Sequence, residues 1–171
     1  MTAGQRYTNG APACWALRWS ALLLALLLLA GCGQEKKETH VHLAPNGDLR
    51  EETASLDQLP SFLDGKPAQV KLAYQAAAKL TDTLQWIPCY CGCGESAGHG
   101  HNFHCFIHEV REDGAVVWDD HGTRCGVCVH IALQSAALKS EGLSDAEIRR
   151  RIDDLYREGF ADPTDTPMPP A

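Results

Sequence analysis

The chain has 171 residues, a formal charge of −7, 44% hydrophobic residues and eight cysteines. That acidic balance lacks the basic footprint of a nucleic-acid binder, so no nucleic-acid partner is expected. The length suits one compact domain with tails, and no internal repeat is visible.

Residues 1–31 carry Arg6 and Arg18, no acidic residue, and an apolar run from Ala21 to Ala30 that leads into Leu29-Ala30-Gly31-Cys32. The run is short for a membrane span and small residues precede the cysteine, the pattern of a secretory signal with a processing site. Leu-Ala-Gly-Cys resembles the lipobox of bacterial lipoproteins. The resemblance implies that Cys32 becomes the lipidated (palmitoylated) first residue of the mature chain. An uncleaved N-terminal anchor is the alternative, and both readings place the remainder outside the cytoplasm, held to a membrane of the cell envelope. Without residues 1–31, about 140 residues remain with a charge of about −9, still one domain.

Residues 32–55 are rich in charged and small polar side chains, with Pro45-Asn46-Gly47-Asp48 as a turn, and read as a flexible tether. His40 and His42 read as solvated polar residues there, with metal capture as the other possibility. The folded domain is expected over 56–160. Leu56, Leu59 and Leu63 suit a short helical turn, and Pro67 suits the first turn of a helix in which Val70, Leu72, Ala73, Tyr74, Ala77, Leu80 and Leu84 fill much of one face. That helix must stop before Pro88.

Next come three thiols in five residues, Pro88-Cys89-Tyr90-Cys91-Gly92-Cys93-Gly94. Alternation along an extended segment would turn the three sulfurs to a common side, and the glycines allow the bends that close them around one small object. Glu95 to Asn102 reads as a loop, from which His99 and His101, with His104 beyond, can offer further ligands. Phe103–Val110 and Ala115–Trp118, about a turn at Arg111-Glu112-Asp113-Gly114, suggest a β-hairpin with Cys105 on its first strand. Thr123 is a candidate cap for a helix that places Cys125 and Cys128 in its first turns and runs to about Ser140. Ser144-x-x-Glu147 is a capping-box pattern for a last helix with a stripe at Ile148, Ile152, Leu155 and Tyr156. The Pro-rich residues 161–171 read as a disordered or extended tail. The expected class is mainly α: a small helical domain with a short β-hairpin and a Cys-rich centre.

Six cysteines remain in the domain: Cys89, Cys91, Cys93, Cys105, Cys125 and Cys128. Outside the cytoplasm an even number ordinarily means disulfides, with fifteen possible pairings for six. Against this, each member of the crowded triplet would need its own distant partner. If the hairpin returns the chain, the triplet, Cys105 and His121-x3-Cys125-x2-Cys128 converge on one pocket. Zinc or an iron–sulfur cluster would use four thiols and leave two, whereas a multinuclear Cu(I) cluster, with bridging thiolates, can use all six. His121 is the best histidine candidate for a ligand or for the support of one, with capping or surface hydrogen bonding as the alternative, while His108 and His130 read as structural.

Ile87-Pro88-Cys89-Tyr90-Cys91-Gly92-Cys93-Gly94, followed by a histidine, Cys105-Phe106, the Gly114 turn, Trp118-x2-His121 and Cys125-x2-Cys128, resembles the bacterial PCYCGC-motif lipoprotein family across roughly Leu56 to Tyr156. The resemblance implies an extracytoplasmic lipoprotein with a shared cysteine set, and it supplies no reaction. The expected function is a non-catalytic metal-binding lipoprotein holding Cu(I) for sequestration, storage or delivery to a copper-handling partner through thiol exchange. The alternatives are a thiol–disulfide oxidoreductase using Cys125 and Cys128, for which the thioredoxin-like context is missing, and a disulfide- or zinc-stapled interaction module.

Overall fold

The structure, a computed structural model, describes residues 40–170. The expected signal segment and Cys32 lie outside the described residues, and no described helix is long and apolar enough to cross a membrane. Four strands form one antiparallel sheet: β1 (Val41–Leu43), β2 (Leu49–Thr53), β3 (Ile107–Val110) and β4 (Val116–Asp119), in spatial order β1-β2-β4-β3. Helices α1 (Ala68–Lys79), α2 (Thr81–Leu84), α3 (Gly94–Ala97), α4 (Gly126–Ser140) and α5 (Asp145–Tyr156), with 3₁₀ turns at Ser61–Leu63, Asn102–Cys105 and Asp120–Thr123, make up the rest of the regular structure among the described residues. The domain is therefore mixed α/β, not mainly α.

The correction comes from residues 41–53, which belong to the sheet and not to a tether. Their alternation is hidden because the buried positions of β2 include Glu51, whose carboxylate turns inward as a cap. It accepts hydrogen bonds from the Ser61 N–H at 2.6 Å, the Ser61 hydroxyl at 2.9 Å and the Phe62 N–H at 3.2 Å. A buried charge satisfied in this way is acceptable in the core, and it looks like linker chemistry in the sequence. β2 pairs with β4 in the register Arg50 with Asp119, Glu51 with Trp118 and Thr53 with Val116. The predicted hairpin is present, with an irregularity between Ile107 and Glu109. Cys105 precedes its first strand, in a 3₁₀ turn over Asn102–Cys105.

α1 packs on α4, and α4 on α5, and their buried side chains share one core with Ile107, Val116 and Trp118 of the sheet. Tyr74, Phe106 and Trp118 fill the space between. The Tyr74 and Phe106 rings meet edge-on at 5.0 Å, the Tyr74 hydroxyl donates to the Asp119 carbonyl at 2.7 Å, and the Trp118 indole N–H donates to Thr53 Oγ1 at 2.7 Å. Both buried polar tips are thus satisfied. The long helix expected to reach Leu84 breaks at Leu80, whose φ of −119° and ψ of 31° separate α1 from the single turn of α2, and Leu72 of its expected apolar face is 54% exposed. The capping box at Ser144 and Glu147 forms as read. Of the expected stripe, Ile148, Ile152 and Tyr156 are buried, but Leu155 is 53% exposed; Arg149 is buried instead.

Residues 161–167 are not a loose tail. The Ala161 N–H donates to the Tyr90 carbonyl at 3.2 Å and the Thr164 N–H to the Cys89 carbonyl at 3.1 Å, while Thr164 Oγ1 accepts from the Cys89 N–H at 2.9 Å. Arg149 Nη1 holds the far end by donating to the carbonyls of Thr166 and Pro167, both at 3.0 Å, and to that of Trp86 at 2.9 Å. The prolines prevent helix and leave carbonyls free, and the segment lies extended as a strap across the cysteine loop.

Candidate metal centre

Three chain-remote pieces bring thiols together. Cys89 and Cys91 come from the loop after α2, Cys105 from the 3₁₀ turn before β3, and Cys125 and Cys128 from the start of α4. Cys125, not Thr123, is the helix cap. Its Sγ accepts the Cys128 N–H at 3.5 Å, so the sulfur lies at the unsatisfied, electropositive end of a four-turn helix. Close approach of the turn before α4 is possible because residue 122 is glycine. A methyl group there would stand 2.6 Å from Phe106 Cε1 and 2.9 Å from the Cys105 carbonyl oxygen.

The sulfur of Cys89 lies 2.9 Å from that of Cys91, 3.6 Å from that of Cys128 and 3.7 Å from that of Cys105. None of the six domain cysteines is bridged. Two ligand sets result. Cys89, Cys105 and Cys128 form a buried set, and Cys91, Cys125, Cys128 and His121 form a half-buried one; in each, the donor atoms lie within 4.8 Å of one another. Cys128 belongs to both. The donor chemistry suits a thiophilic metal, with soft sulfurs in the majority and one imidazole.

Cys93 is the predicted site residue that the fold does not bring in. Gly92 has φ of +77°, which breaks the strand-like alternation after Cys91, and the Cys93 sulfur turns back toward the Cys91 carbonyl at 3.8 Å. The histidines also divide. His101 and His104 stack with ring centroids 3.8 Å apart, and burial pushes both down to about 4, so both are neutral at pH 7. His108 and His130 are exposed. His99, by contrast, packs edge-on to His121 at 4.7 Å.

The thiols are electrostatically unequal. Hydrogen bonds from the Cys125 and Cys128 thiols hold Cys91 down at about 4, while Cys128, shared as a donor among Cys105, Cys125 and its other neighbours, is pushed up. Cys105 is held at about 7 by hydrogen bonds with Cys128 and Cys89. The Cys91 thiolate in turn raises His121 to about 9, aided by Asp48. At neutral pH the metal-free centre therefore contains a thiolate–imidazolium pair. His121 Nδ1 stands 3.4 Å from Asp48 Oδ1, and Nε2 is buried with no hydrogen-bond partner among the described residues, which leaves it as the nitrogen for a metal. A carboxylate behind a ligating imidazole fixes the ring and raises its basicity.

Asp48, Arg149 and Thr164 were not legible as site residues. Asp48 sits in an ordinary Asn-Gly-Asp turn and the other two lie far along the chain, with no spacing that relates them to the cysteines. Arg149 Nε also pairs with Asp153 at 2.9 Å, and the Tyr90 hydroxyl donates to the same carboxylate at 2.6 Å. The cysteine loop is thereby tied to α5 as well as to the strap.

No curated protein sequence and no solved structure matches the chain. Residues 21–169 match the model of a family described as proteins of unknown function with the PCYCGC motif, and with that coverage the chain belongs to this family.

Proposed function

We propose that the protein is a membrane-tethered, extracytoplasmic lipoprotein that binds Cu(I) in a multinuclear thiolate centre, for sequestration, storage or delivery to a partner with competing thiols. The single observation behind this reading is the convergence of five unbridged thiols and one imidazole from remote parts of the chain into two sets that share Cys128. One tetrahedral ion uses four donors, so a single ion in the half-buried set would leave Cys89 and Cys105 buried without a ligand role. Cu(I) accepts two or three thiolates and tolerates their bridging, so Cys128 can serve both sets. Cys91, already a thiolate and half-buried, is the natural point of entry and release, and His121 completes the outer set. The Leu-Ala-Gly-Cys sequence supports the lipid anchor and the location outside the cytoplasm.

A zinc reading has one observation in its favour, since Cys91, Cys125, Cys128 and His121 match the three-thiolate, one-imidazole complement of structural zinc sites. The two readings separate on stoichiometry. Reduced protein, loaded without oxygen and challenged with a strong Cu(I) chelator, should retain more than one copper per chain by elemental analysis. Retention of one zinc in preference to copper selects the zinc site, and retention of neither metal rejects a metal-binding role.

A further inference from the structure

Behind His121 lies a second group of donors with different chemistry. The donor atoms of Asp48, His99 and His121 lie within 4.8 Å of one another. His99 is 5% exposed, and among the described residues neither of its ring nitrogens has a hydrogen-bond partner; Nε2 stands 3.7 Å from Asp48 Oδ2, beyond hydrogen-bonding range. A buried imidazole with both nitrogens unsatisfied costs free energy that folding alone does not recover, and such a group calls for a ligand. The neighbouring carboxylates are already occupied. Asp119 accepts from the His121 N–H and from Arg50, and Asp120 accepts from the Leu49 N–H and from Arg124.

We propose that Asp48, His99 and His121 form a second metal site, one for a divalent first-row cation with nitrogen and oxygen preference such as Zn(II), Co(II) or Cu(II). Imidazole and carboxylate donors select this borderline class over Cu(I), and donors on one such ion stand about 3–4 Å apart, a span this group reaches with small ring movements. Asp48 has two competitors. Asn46 Nδ2 donates to its Oδ2 at 2.7 Å, and the Arg124 guanidinium meets its Oδ1. Arg124 is half exposed and also holds Asp120 at 2.8 Å, so it keeps a carboxylate partner when a cation takes Asp48. His121, common to this site and to the thiol set, bridges the two ions as an imidazolate, one on each ring nitrogen, and both ring protons leave to solvent as the ions bind. The site is independent of which metal the thiols take.

The test uses cobalt(II) chloride, because thiolate-bound cobalt gives intense near-ultraviolet charge-transfer bands and cobalt held by nitrogen and oxygen does not. The full chain, reduced and kept from oxygen, is titrated and its bound cobalt counted by elemental analysis. His99→Phe should bind one cobalt fewer per chain with the thiolate band unchanged, whereas Cys91→Ser should weaken the band and keep the His99-dependent ion. If circular dichroism shows that His99→Phe disturbs the fold, His99→Gln, which keeps a polar side chain of similar reach, decides in its place. Equal cobalt content in parent and His99 variant overturns the proposal, as does a thiolate band that falls together with the His99-dependent loss. A parent protein with the His99-dependent ion but no thiolate band would instead refute the thiolate centre and leave the second site standing.

Discussion

The two sides of the thiol centre are built differently. Cys89, Cys105 and Cys128 are at most 1% exposed and are walled by Ile87, Phe106 and Ile131 of the apolar core, whereas Cys91, Cys125 and His121 are only partly covered and face charged groups. A buried thiol cannot follow a departing ion, because its neighbours are packed in place. The outer donors can. On the proposed reading, the inner set therefore fixes where metal sits and the outer set governs how it comes and goes, a division of work that substitutions on each side should expose.

The largest effect belongs to the sulfur that joins the two sides. Cys128→Ser replaces a shared soft donor with a hydroxyl in a site with no exposure. Retained copper should fall at least by half under chelator challenge, and the metal-free protein should lose about 1–3 kcal/mol in urea unfolding for burying a more polar group. Full copper retention would mean that the two sets do not share a ligand, and the multinuclear reading would fail.

A smaller effect on copper retention, though not on stability, should come from the support of the inner side. Arg149, 9% exposed, donates to three carbonyls that join the strap to the end of the α2 segment. Arg149→Ala should cost about 2–3 kcal/mol, since it removes charge-assisted hydrogen bonds and leaves buried acceptors unpaired. Amide exchange at Cys89 and Thr164 should accelerate together, because the two residues hydrogen-bond each other through Thr164 Oγ1 and the Cys89 carbonyl. Faster exchange at Thr164 alone would show that the cysteine loop holds its shape without the strap.

The same contrast explains what the sequence disclosed. Cysteine spacing alone disclosed the inner set, since only Cys128 sits on a long helix while Cys89 lies in a loop and Cys105 in a 3₁₀ turn; the visible periodicity of α1, α4 and α5 marked the core around them. The half-buried side depends on Asp48, which a turn presents, and the loop that carries Cys89 depends on a strap of prolines and threonines whose polar groups find partners only in three dimensions. Linker-like composition misled at both ends of the domain for one physical reason. Glu51 and Arg149 are buried charges whose hydrogen bonds to backbone groups offset their desolvation, and no local pattern marks such compensation.

The smallest effect, and the one that most sharpens the division, is at Cys93. Its thiol is pushed up to about 11 by burial and by the nearby Cys91 thiolate, so at neutral pH it is a protonated thiol outside both ligand sets. Cys93→Ser should leave copper retention unchanged and alter stability by no more than about 0.5 kcal/mol. Cys91→Ser, two residues away, should lower retention clearly. If instead both substitutions lower retention equally, the loop must turn about Gly92 on binding metal and bring its third sulfur inward. The outer side would then be assembled by the metal and not by the fold, and the rim would be a clasp that closes on its ion.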